Sequence, residues 1–230
     1  MGAPPPEWAL RPSRTIWQYV WDWCMTPVRL ILLPDSLCER LRLTSLRAER
    51  FRAVLPQIRG RLLDIGAGDN QLVAIYKKCA DEHSQPGSKQ SVGVDVFDWG
   101  SDTILVQSSA SLPFPDASFD TISFLACINH IPERREALEE ARRVLRPDGC
   151  LLVTMIGRFI GELGHKLWWY SEDKYRNVDE HELMGMNEKE IHALLDAAGF
   201  EVLAVKRFVY GLNRLYIARP RRFASLAGSS

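Results

Sequence analysis

Short apolar runs alternate with amphipathic stretches from about residue 61 onward. Apolar runs bounded by turn residues are typical of buried strands, whereas apolar positions three or four residues apart are typical of helices. These patterns predict strands at residues 61–65, 91–96, 103–106, 119–125, 150–155, 201–208 and 215–218. Helices are predicted between them, at residues 71–82, 133–145 and 187–198.

Strands that alternate with helices are joined by crossover connections, which favours a mostly parallel sheet with helices on both faces. The predicted fold is therefore α/β, a doubly wound Rossmann-like sheet. A chain of 230 residues can bury one full core and is short for two independent domains. We predict a main domain at residues 59–220, an N-terminal helical appendage at residues 1–58 and a flexible tail at residues 221–230.

The appendage is predicted to contain helices at residues 15–33 and 35–55. Its apolar stretch is interrupted by Asp22, Pro27 and Arg29. A membrane-spanning helix needs about 20 predominantly apolar residues, so this stretch is a poor candidate for one. The arginines between residues 40 and 52 are interpreted as a solvated helix face rather than a lipid-phosphate patch.

The most informative motif is Leu-Leu-Asp-Ile-Gly-Ala-Gly-Asp-Asn at residues 62–70, a predicted strand that ends in a glycine turn before a helix. Such a turn presents backbone N–H groups and a helix N-terminus to a ligand. The third glycine of a dinucleotide-binding motif would fall on Gln71, and Asp64 ends the strand. A carboxylate there disfavours pyrophosphate, so the turn favours a cationic nucleoside such as S-adenosylmethionine.

Asp95 ends the second predicted strand, where a carboxylate can accept hydrogen bonds from both ribose hydroxyls of an adenosine. Val96, Phe97 and Trp99 follow it and could form an apolar wall for adenine. The turn and Asp95 together indicate an adenosine-containing ligand.

With these residues the sequence resembles the class I S-adenosylmethionine-dependent methyltransferases, in particular the small-molecule, type 11 branch related to quinone and sterol methylases. The resemblance covers about residues 60–218 and consists of blocks in the family's order, namely Asp64–Gly68, Asp95, Ser111–Asp120 and Arg143–Gly149. It implies an antiparallel C-terminal strand, S-adenosylmethionine as cofactor and direct in-line methyl transfer to a small, apolar or lipid-like acceptor.

The resemblance also implies which residues bind the cofactor. They are Asp64, Gly66, Ala67, Gly68, Asn70, Asp95, Val96, Ser108, Ser109 and Cys127. Asn70 stands where the family often has glycine, but asparagine tolerates a left-handed backbone. Ser108 stands where the family often has an aspartate that contacts adenine, and its hydroxyl could substitute with weaker recognition.

His130 is the candidate catalytic residue, because it follows the fourth predicted strand, where the family's substrate pocket opens. A neutral imidazole there could accept a proton from the methyl acceptor. The alternative is that His130 is structural or positions the substrate. Cys127 is expected to be a small buried hydrophobe rather than a nucleophile.

Charge and cysteine content narrow the expected partners. The chain has 29 basic and 29 acidic residues, so its formal net charge of zero provides no strong field for a nucleic acid, and none is expected. Its five cysteines never occur as C-x-x-C, which favours reduced thiols, a cytoplasmic protein and no metal site.

Residues 8–33 contain Trp8, Trp17, Tyr19, Trp21 and Trp23, and their role has two interpretations. They could form a lid over the acceptor pocket, or they could contact a membrane surface peripherally. Two other functions also stay open at this point. The chain could be a non-catalytic interaction protein that retains the fold, or a nicotinamide-dependent oxidoreductase.

Overall fold

A computed structural model, which describes residues 4–81, 83–157 and 185–221, places all of its strands in one sheet. The strands are β1 (Leu62–Ile65), β2 (Val92–Asp95), β3 (Ile104–Leu105), β4 (Phe119–Leu125), β5 (Leu145–Ile156), β6 (Phe200–Phe208) and β7 (Asn213–Pro220). Their order is β3-β2-β1-β4-β5-β7-β6. β1 to β5 are parallel, whereas β7 is antiparallel to β5 and β6. The predicted mostly parallel sheet with an antiparallel C-terminal strand is confirmed.

Helices precede the sheet and connect its strands. They are α1 (Glu7–Leu10), α2 (Ile16–Cys24), α3 (Asp35–Arg40), α4 (Leu46–Val54), α5 (Gln71–Cys79), α6 (Arg134–Val144) and α7 (Glu188–Ala197), with a π-helical turn at Val28–Leu32 and 3₁₀ turns at Leu55–Gln57, Ser88–Gln90 and Ile128–His130. α7 begins with a capping box between Asn187 and Glu190. The predicted tail lies outside the described residues except for Arg221.

The alternation of side chains along β1 explains why helices cover both faces of the sheet. Leu63 and Ile65 pack into a core that includes residues of α6 and α7. Leu62 packs into a second core with residues of α4 and α5. Successive side chains of a strand point to opposite faces, so β1 contributes to both cores and the sheet is doubly wound.

Side chains of α6 fix the loop that precedes β4. Glu140 accepts a hydrogen bond from the backbone N–H of Leu112 at 2.8 Å, and Arg143 donates to the carbonyl oxygen of Leu112 at 3.2 Å. Arg143 also forms ion pairs with Glu140 and Asp116. The last two motif blocks of the sequence therefore meet in one hydrogen-bonded unit.

Residues 16–32 are helical over most of the predicted range 15–33 but are interrupted at Met25, whereas the prediction of one helix at residues 35–55 is wrong. α2 ends before the π-helical turn, and a non-helical connection separates α3 from α4. Pro27 and Pro34 lack the backbone N–H that a continuing helix would need. Arg42 adopts a left-handed backbone with φ 58°, which turns the chain between α3 and α4.

Buried charged side chains hold the appendage together. Asp22 is fully buried and accepts hydrogen bonds from the backbone N–H of Thr44 at 2.8 Å and from its hydroxyl at 2.7 Å. Arg29 is also buried and donates to the carbonyl oxygen of Thr44 at 2.7 Å and to Glu49 at 3.1 Å. Buried charges are tolerated only when they are paired in this way. The polar residues that interrupt the apolar stretch are therefore structural.

The appendage borders the edge of the sheet at which the parallel strands end. Leu30 and Leu46 pack against Val209, which lies in the turn between β6 and β7. That turn precedes Asn213, which pairs with Ile156 at the end of β5. Because β5 is parallel to β1, β2 and β4, their carboxyl ends lie at this same edge, where ligands of such sheets bind. Among the described helices, none is long and apolar enough to cross a membrane.

Candidate cofactor-binding site

A tight glycine turn connects β1 to α5. Gly66 and Gly68 have φ values of 72° and 54°, a left-handed conformation that glycine adopts without strain. A Cβ atom on Gly66 would lie 2.7 Å from the Cβ atom of Cys127, so a larger residue would clash there. At Gly68, no heavy atom of the described residues lies within 4 Å of the corresponding position. The turn is therefore packed against the end of β4 and open at Gly68, which suits a ligand-binding turn.

The end of β2 lies close against the same turn. A Cβ atom on Gly93 would lie 2.6 Å from that of Ala67. The backbone N–H groups of Gly66 and Ala67 both donate to the carbonyl oxygen of Val94, at 2.9 and 3.0 Å. These contacts hold the turn at a fixed distance from the strand that carries Asp95.

Asn70 has the left-handed backbone that its residue type was expected to tolerate, with φ 61°, and α5 begins directly after it. Its side-chain oxygen is buried and has no hydrogen-bond partner among the described residues. A buried acceptor without a partner is unfavourable, so this atom is suited to accept a hydrogen bond from a ligand or from water.

Asp95 bridges the turn and the loop that follows β2. One carboxylate oxygen accepts from the backbone N–H of Gly68 at 2.9 Å, and the other accepts from that of Phe97 at 3.0 Å. Val96 is 57% exposed and Phe97 is 49% exposed. The Phe97 ring meets the Trp99 ring edge to face at 5.1 Å. An apolar surface therefore lies beside the carboxylate, as the sequence predicted for an adenosine site.

Asp64 and Cys127 lie at the carboxyl ends of the two central strands, β1 and β4. Asp64 is buried, and the hydroxyl of Ser123 donates a hydrogen bond to it at 2.6 Å. Burial raises the pKa of Asp64 to about 7, although the bond from Ser123 opposes this shift. The Cys127 thiol donates to the carbonyl oxygen of Ile65 at 3.0 Å, and burial raises its pKa well above the usual value. Such a thiol is a poor nucleophile, so Cys127 serves in packing.

Ser108 and Ser109 follow β3, next to the end of β2. The backbone N–H of Val106 donates to the carbonyl oxygen of Asp95 at 2.9 Å, which brings this segment to the site. The hydroxyl of Ser108 accepts from the backbone N–H of Ala110 at 3.0 Å, and Ser109 is buried. The hydroxyl of Ser108 can still donate a hydrogen bond to a ligand.

His130 lies in the 3₁₀ turn after β4 and is partly exposed. Its backbone N–H donates to the carbonyl oxygen of Cys127 at 2.8 Å, and its Nε2 atom lies 3.0 Å from the side-chain nitrogen of Asn129. The 3₁₀ turn therefore connects His130 to Cys127, which packs against the glycine turn. Within the described ranges, no group of three or more His, Cys, Asp and Glu side chains could hold a metal ion.

Comparison with known proteins identifies the family. A family model described as a methyltransferase domain matches residues 38–205, which is most of the chain. The chain belongs to this methyltransferase family. The ubiquinone/menaquinone biosynthesis C-methyltransferase of Vibrio cholerae is 29% identical over 181 residues, covering 68% of this chain and 70% of that protein. The corresponding Rickettsia bellii protein is 23% identical over 200 residues, covering 74% and 80%.

A solved S-adenosylmethionine-dependent methyltransferase from Aquifex aeolicus shares the fold, with a TM-score of 0.53 at 16% identity over 90% of this chain and 97% of that one. The family match makes this protein a methyltransferase, and its fold is that of the S-adenosylmethionine-dependent enzymes, so S-adenosylmethionine is its cofactor. The sequence-based interpretation as a nicotinamide-dependent oxidoreductase receives no support from these relatives.

The described residues of the methyltransferase fit its cofactor. The turn is open at Gly68, the side-chain oxygen of Asn70 lacks a partner, and the Asp95 carboxylate faces the turn. Hydrogen bonds and packing contacts tie the glycine turn, Asn70, Asp95 and Cys127 to one another or to the neighbouring strands, and Asp64 interacts by charge with Asp95 and Cys127. The residues predicted to bind the cofactor that are connected in this way are Asp64, Gly66, Ala67, Gly68, Asn70, Asp95 and Cys127. Val96 follows Asp95 in the chain. Ser108 and Ser109 follow β3, which pairs with the end of β2 where Asp95 lies.

Arg50 of α4 was missed by sequence reasoning. Its Nε atom is buried and has no hydrogen-bond partner among the described residues. Burial lowers the pKa of its guanidinium, and Asp35 and Cys127 are the groups whose charges act on it. The prediction of a solvated arginine face is therefore wrong for Arg50, because α4 packs against the sheet. Nothing in the sequence separates Arg50 from the other arginines of the run.

Proposed function

We propose that the methyltransferase transfers a methyl group to an apolar, lipid-like small molecule. The observation that supports this proposal most directly is the position of the appendage. Its exposed apolar residues, which include Trp17 and Trp23, belong to a segment packed at the carboxyl edge of the sheet, where Cys127 and His130 also lie. The relatives named as quinone-biosynthesis C-methyltransferases support the same class of acceptor.

The residues proposed to bind the cofactor have complementary roles. Asp95 would accept hydrogen bonds from the ribose hydroxyls, while Val96 and Phe97 would cover one face of adenine. Asp64 would favour the positively charged methionine end. Arg50 would bind the methionine carboxylate, because its buried Nε atom has no hydrogen-bond partner among the described residues, its charge interacts with Cys127, and guanidinium groups pair strongly with carboxylates.

When bound, S-adenosylmethionine supplies an activated methyl group on its sulfonium. The protein can therefore contribute chiefly by aligning the acceptor and excluding water. His130 is proposed to take the proton that the acceptor loses, so that the products are the methylated acceptor, S-adenosylhomocysteine and protonated His130. A lipid-like acceptor partitions into bilayers. We accordingly propose a cytoplasmic enzyme that contacts the membrane peripherally through residues 8–33.

The experiment is a methyl-transfer assay with the full chain, labelled S-adenosylmethionine and matched pairs of phenolic or quinol acceptors with and without an isoprenoid tail, presented in detergent micelles. Mass spectrometry identifies the product. We expect label in the tailed acceptors and at least about tenfold less in their short analogues, because apolar contacts add binding energy. Transfer only to the tailless acceptors would contradict the proposal.

A further inference from the structure

The helix α2 has its polar side facing the protein and its apolar side facing solvent, the reverse of an ordinary surface helix. Asp22 is fully buried, and the side chain of Gln18 donates to it at 3.1 Å. Trp17 is 83% exposed and Trp23 is 63% exposed. We call the exposed apolar residues Ile16, Trp17, Val20, Trp21, Trp23 and Leu41 the aromatic face.

Hydrogen bonds to the turn after α3 hold this face in place. The indole N–H of Trp21 donates to the carbonyl oxygen of Leu41 at 3.3 Å, and the Gln18 side chain donates to that of Arg42 at 2.9 Å. Together with the bonds between Asp22 and Thr44, these contacts order the helix, while its apolar side stays exposed in the part of the chain that the structure describes. A surface that is already ordered loses little conformational entropy on binding.

Positive charge flanks the aromatic face. Arg40 is the last residue of α3 and Arg42 follows Leu41 in the next turn; both are exposed, and neither forms an ion pair with a described carboxylate. The nearby acids Asp35 and Glu39 are instead paired with Arg47. Exposed indoles between cationic side chains match the interface of an anionic bilayer, where tryptophan occupies the headgroup region and arginine attracts lipid phosphate.

The face also lies at the functional edge of the sheet. The ring of Tyr19 in α2 contacts the ring of Tyr210 edge to face at 6.4 Å, and Tyr210 lies in the turn between β6 and β7. We propose that the aromatic face, with Arg40 and Arg42, docks the enzyme on an anionic membrane and presents this edge of the sheet to the bilayer. The assignment rests on the proposed function in that the bilayer would deliver the acceptor.

The test is flotation of the full chain with phosphatidylcholine vesicles that contain or lack phosphatidylglycerol. We expect binding to the anionic vesicles that weakens with added salt, and at least about tenfold weaker binding for a Trp17→Ser, Trp23→Ser double variant. Arg40→Glu with Arg42→Glu should remove the preference for phosphatidylglycerol. Leu203→Ser and Lys206→Glu, which change exposed residues of β6, serve as matched controls and should bind normally.

Unchanged flotation of the tryptophan variant, with S-adenosylmethionine affinity and thermal unfolding like those of the parent chain, would overturn the docking surface. So would the absence of flotation together with a dimer that the same variant dissociates, since the face would then bind a second copy. The micelle assay separates the two proposals. If the tryptophan variant loses flotation but the full chain transfers no methyl group to tailed acceptors in micelles, the proposed function is refuted and the docking surface is supported.

Discussion

The backbone N–H of Gly68 donates a 2.9 Å hydrogen bond to the carboxylate of Asp95, which joins the glycine turn after β1 to the end of β2. The second oxygen of Asp95 accepts from the N–H of Phe97 two residues later. One carboxylate therefore orients both the turn and the apolar loop. Cofactor affinity should depend strongly on this residue.

For Asp95→Asn we expect S-adenosylmethionine affinity to fall by at least about tenfold, because hydrogen bonds to a charged carboxylate contribute about 1.5–3 kcal/mol each. Isothermal titration calorimetry measures the change. Asp98→Asn is the matched control, since Asp98 accepts from the N–H of Gly100 in the same local geometry. Equal affinities in the two variants would place the ribose site elsewhere.

Asp64 should make cofactor binding dependent on pH. Its pKa is raised by burial from 3.8 to about 7, so the carboxyl is largely protonated below that pH in the folded chain. The ionised form attracts the cationic cofactor, and affinity should therefore rise between about pH 6 and about pH 8. Calorimetry across this range should give a steeper rise for the parent chain than for Asp64→Asn. Parallel profiles would show that another group titrates.

The raised pKa of Asp64 also makes the stability of the fold depend on pH. Between about pH 4 and about pH 7 the folded chain keeps a proton on Asp64 that the unfolded chain has lost. Because the unfolded state binds fewer protons, this residue lowers the free energy of unfolding as pH rises through that window, and has no further effect above it. The free energies of unfolding of the parent chain and of Asp64→Asn, measured with urea, should therefore diverge as pH increases.

For His130→Ala we expect turnover to fall by about a hundredfold or more, with little change in S-adenosylmethionine affinity, because general base catalysis contributes about 10²–10⁴ in rate. Steady-state kinetics and calorimetry on the same preparation provide both values. His192→Ala is the control, since His192 is exposed on α7 and contacts Tyr216 away from the turn. Full activity in His130→Ala would mean that alignment alone accounts for catalysis.

Arg50→Met should weaken binding of S-adenosylmethionine by at least about tenfold, because a charge-assisted hydrogen bond to the carboxylate is lost. 5′-Methylthioadenosine has no carboxylate, so its affinity should not change, and this comparison separates a binding role from a structural one. Arg50→Lys should restore part of the loss. Arg47→Met, on the same helix, is the control because Arg47 pairs with Glu39. An equal loss for both ligands would contradict the assignment.

The sheet could be predicted from the sequence because its strands are short apolar runs separated by turn residues. The glycine turn and Asp95 were also predictable, since their backbone requirements restrict the residue types allowed. Asn70 shows the limit of such rules, because its left-handed backbone was expected, whereas the burial of its side-chain oxygen without a partner among the described residues depends on packing against β2. Local sequence patterns predict helices, strands and turns, whereas a buried polar atom without a partner arises only when these elements pack together.

The appendage could not be predicted in the same way. Apolar periodicity indicated long helices, but the breaks are stabilised by contacts between residues far apart in the chain, such as Asp22 with Thr44. Arg42 and Arg50 belong to the same arginine-rich run, yet Arg42 is exposed in a turn whereas Arg50 lies in α4 with a buried Nε atom. Tertiary packing decides these cases, and a single sequence carries no local signal for it.

The buried carboxylate of Asp22 leads to a final prediction about the whole fold. Asp22→Ala would leave the N–H and the hydroxyl of Thr44 without their acceptor and would remove the ion pair with Arg14. Breaking one side of a buried charged cluster typically costs about 3–5 kcal/mol, so we expect the free energy of urea unfolding to fall by about that amount.

Asp81→Ala is the control for this measurement. Asp81 is exposed and accepts from the N–H of His83 in a surface loop, so its loss should change the free energy of unfolding by less than about 1 kcal/mol. The appendage shares one core with the sheet, through Phe51 and Val54 of α4 and Leu62 of β1. The loss in Asp22→Ala should therefore appear as one cooperative transition with reduced midpoint. A separate early transition, with S-adenosylmethionine binding intact, would instead show that the appendage unfolds independently of the methyltransferase domain.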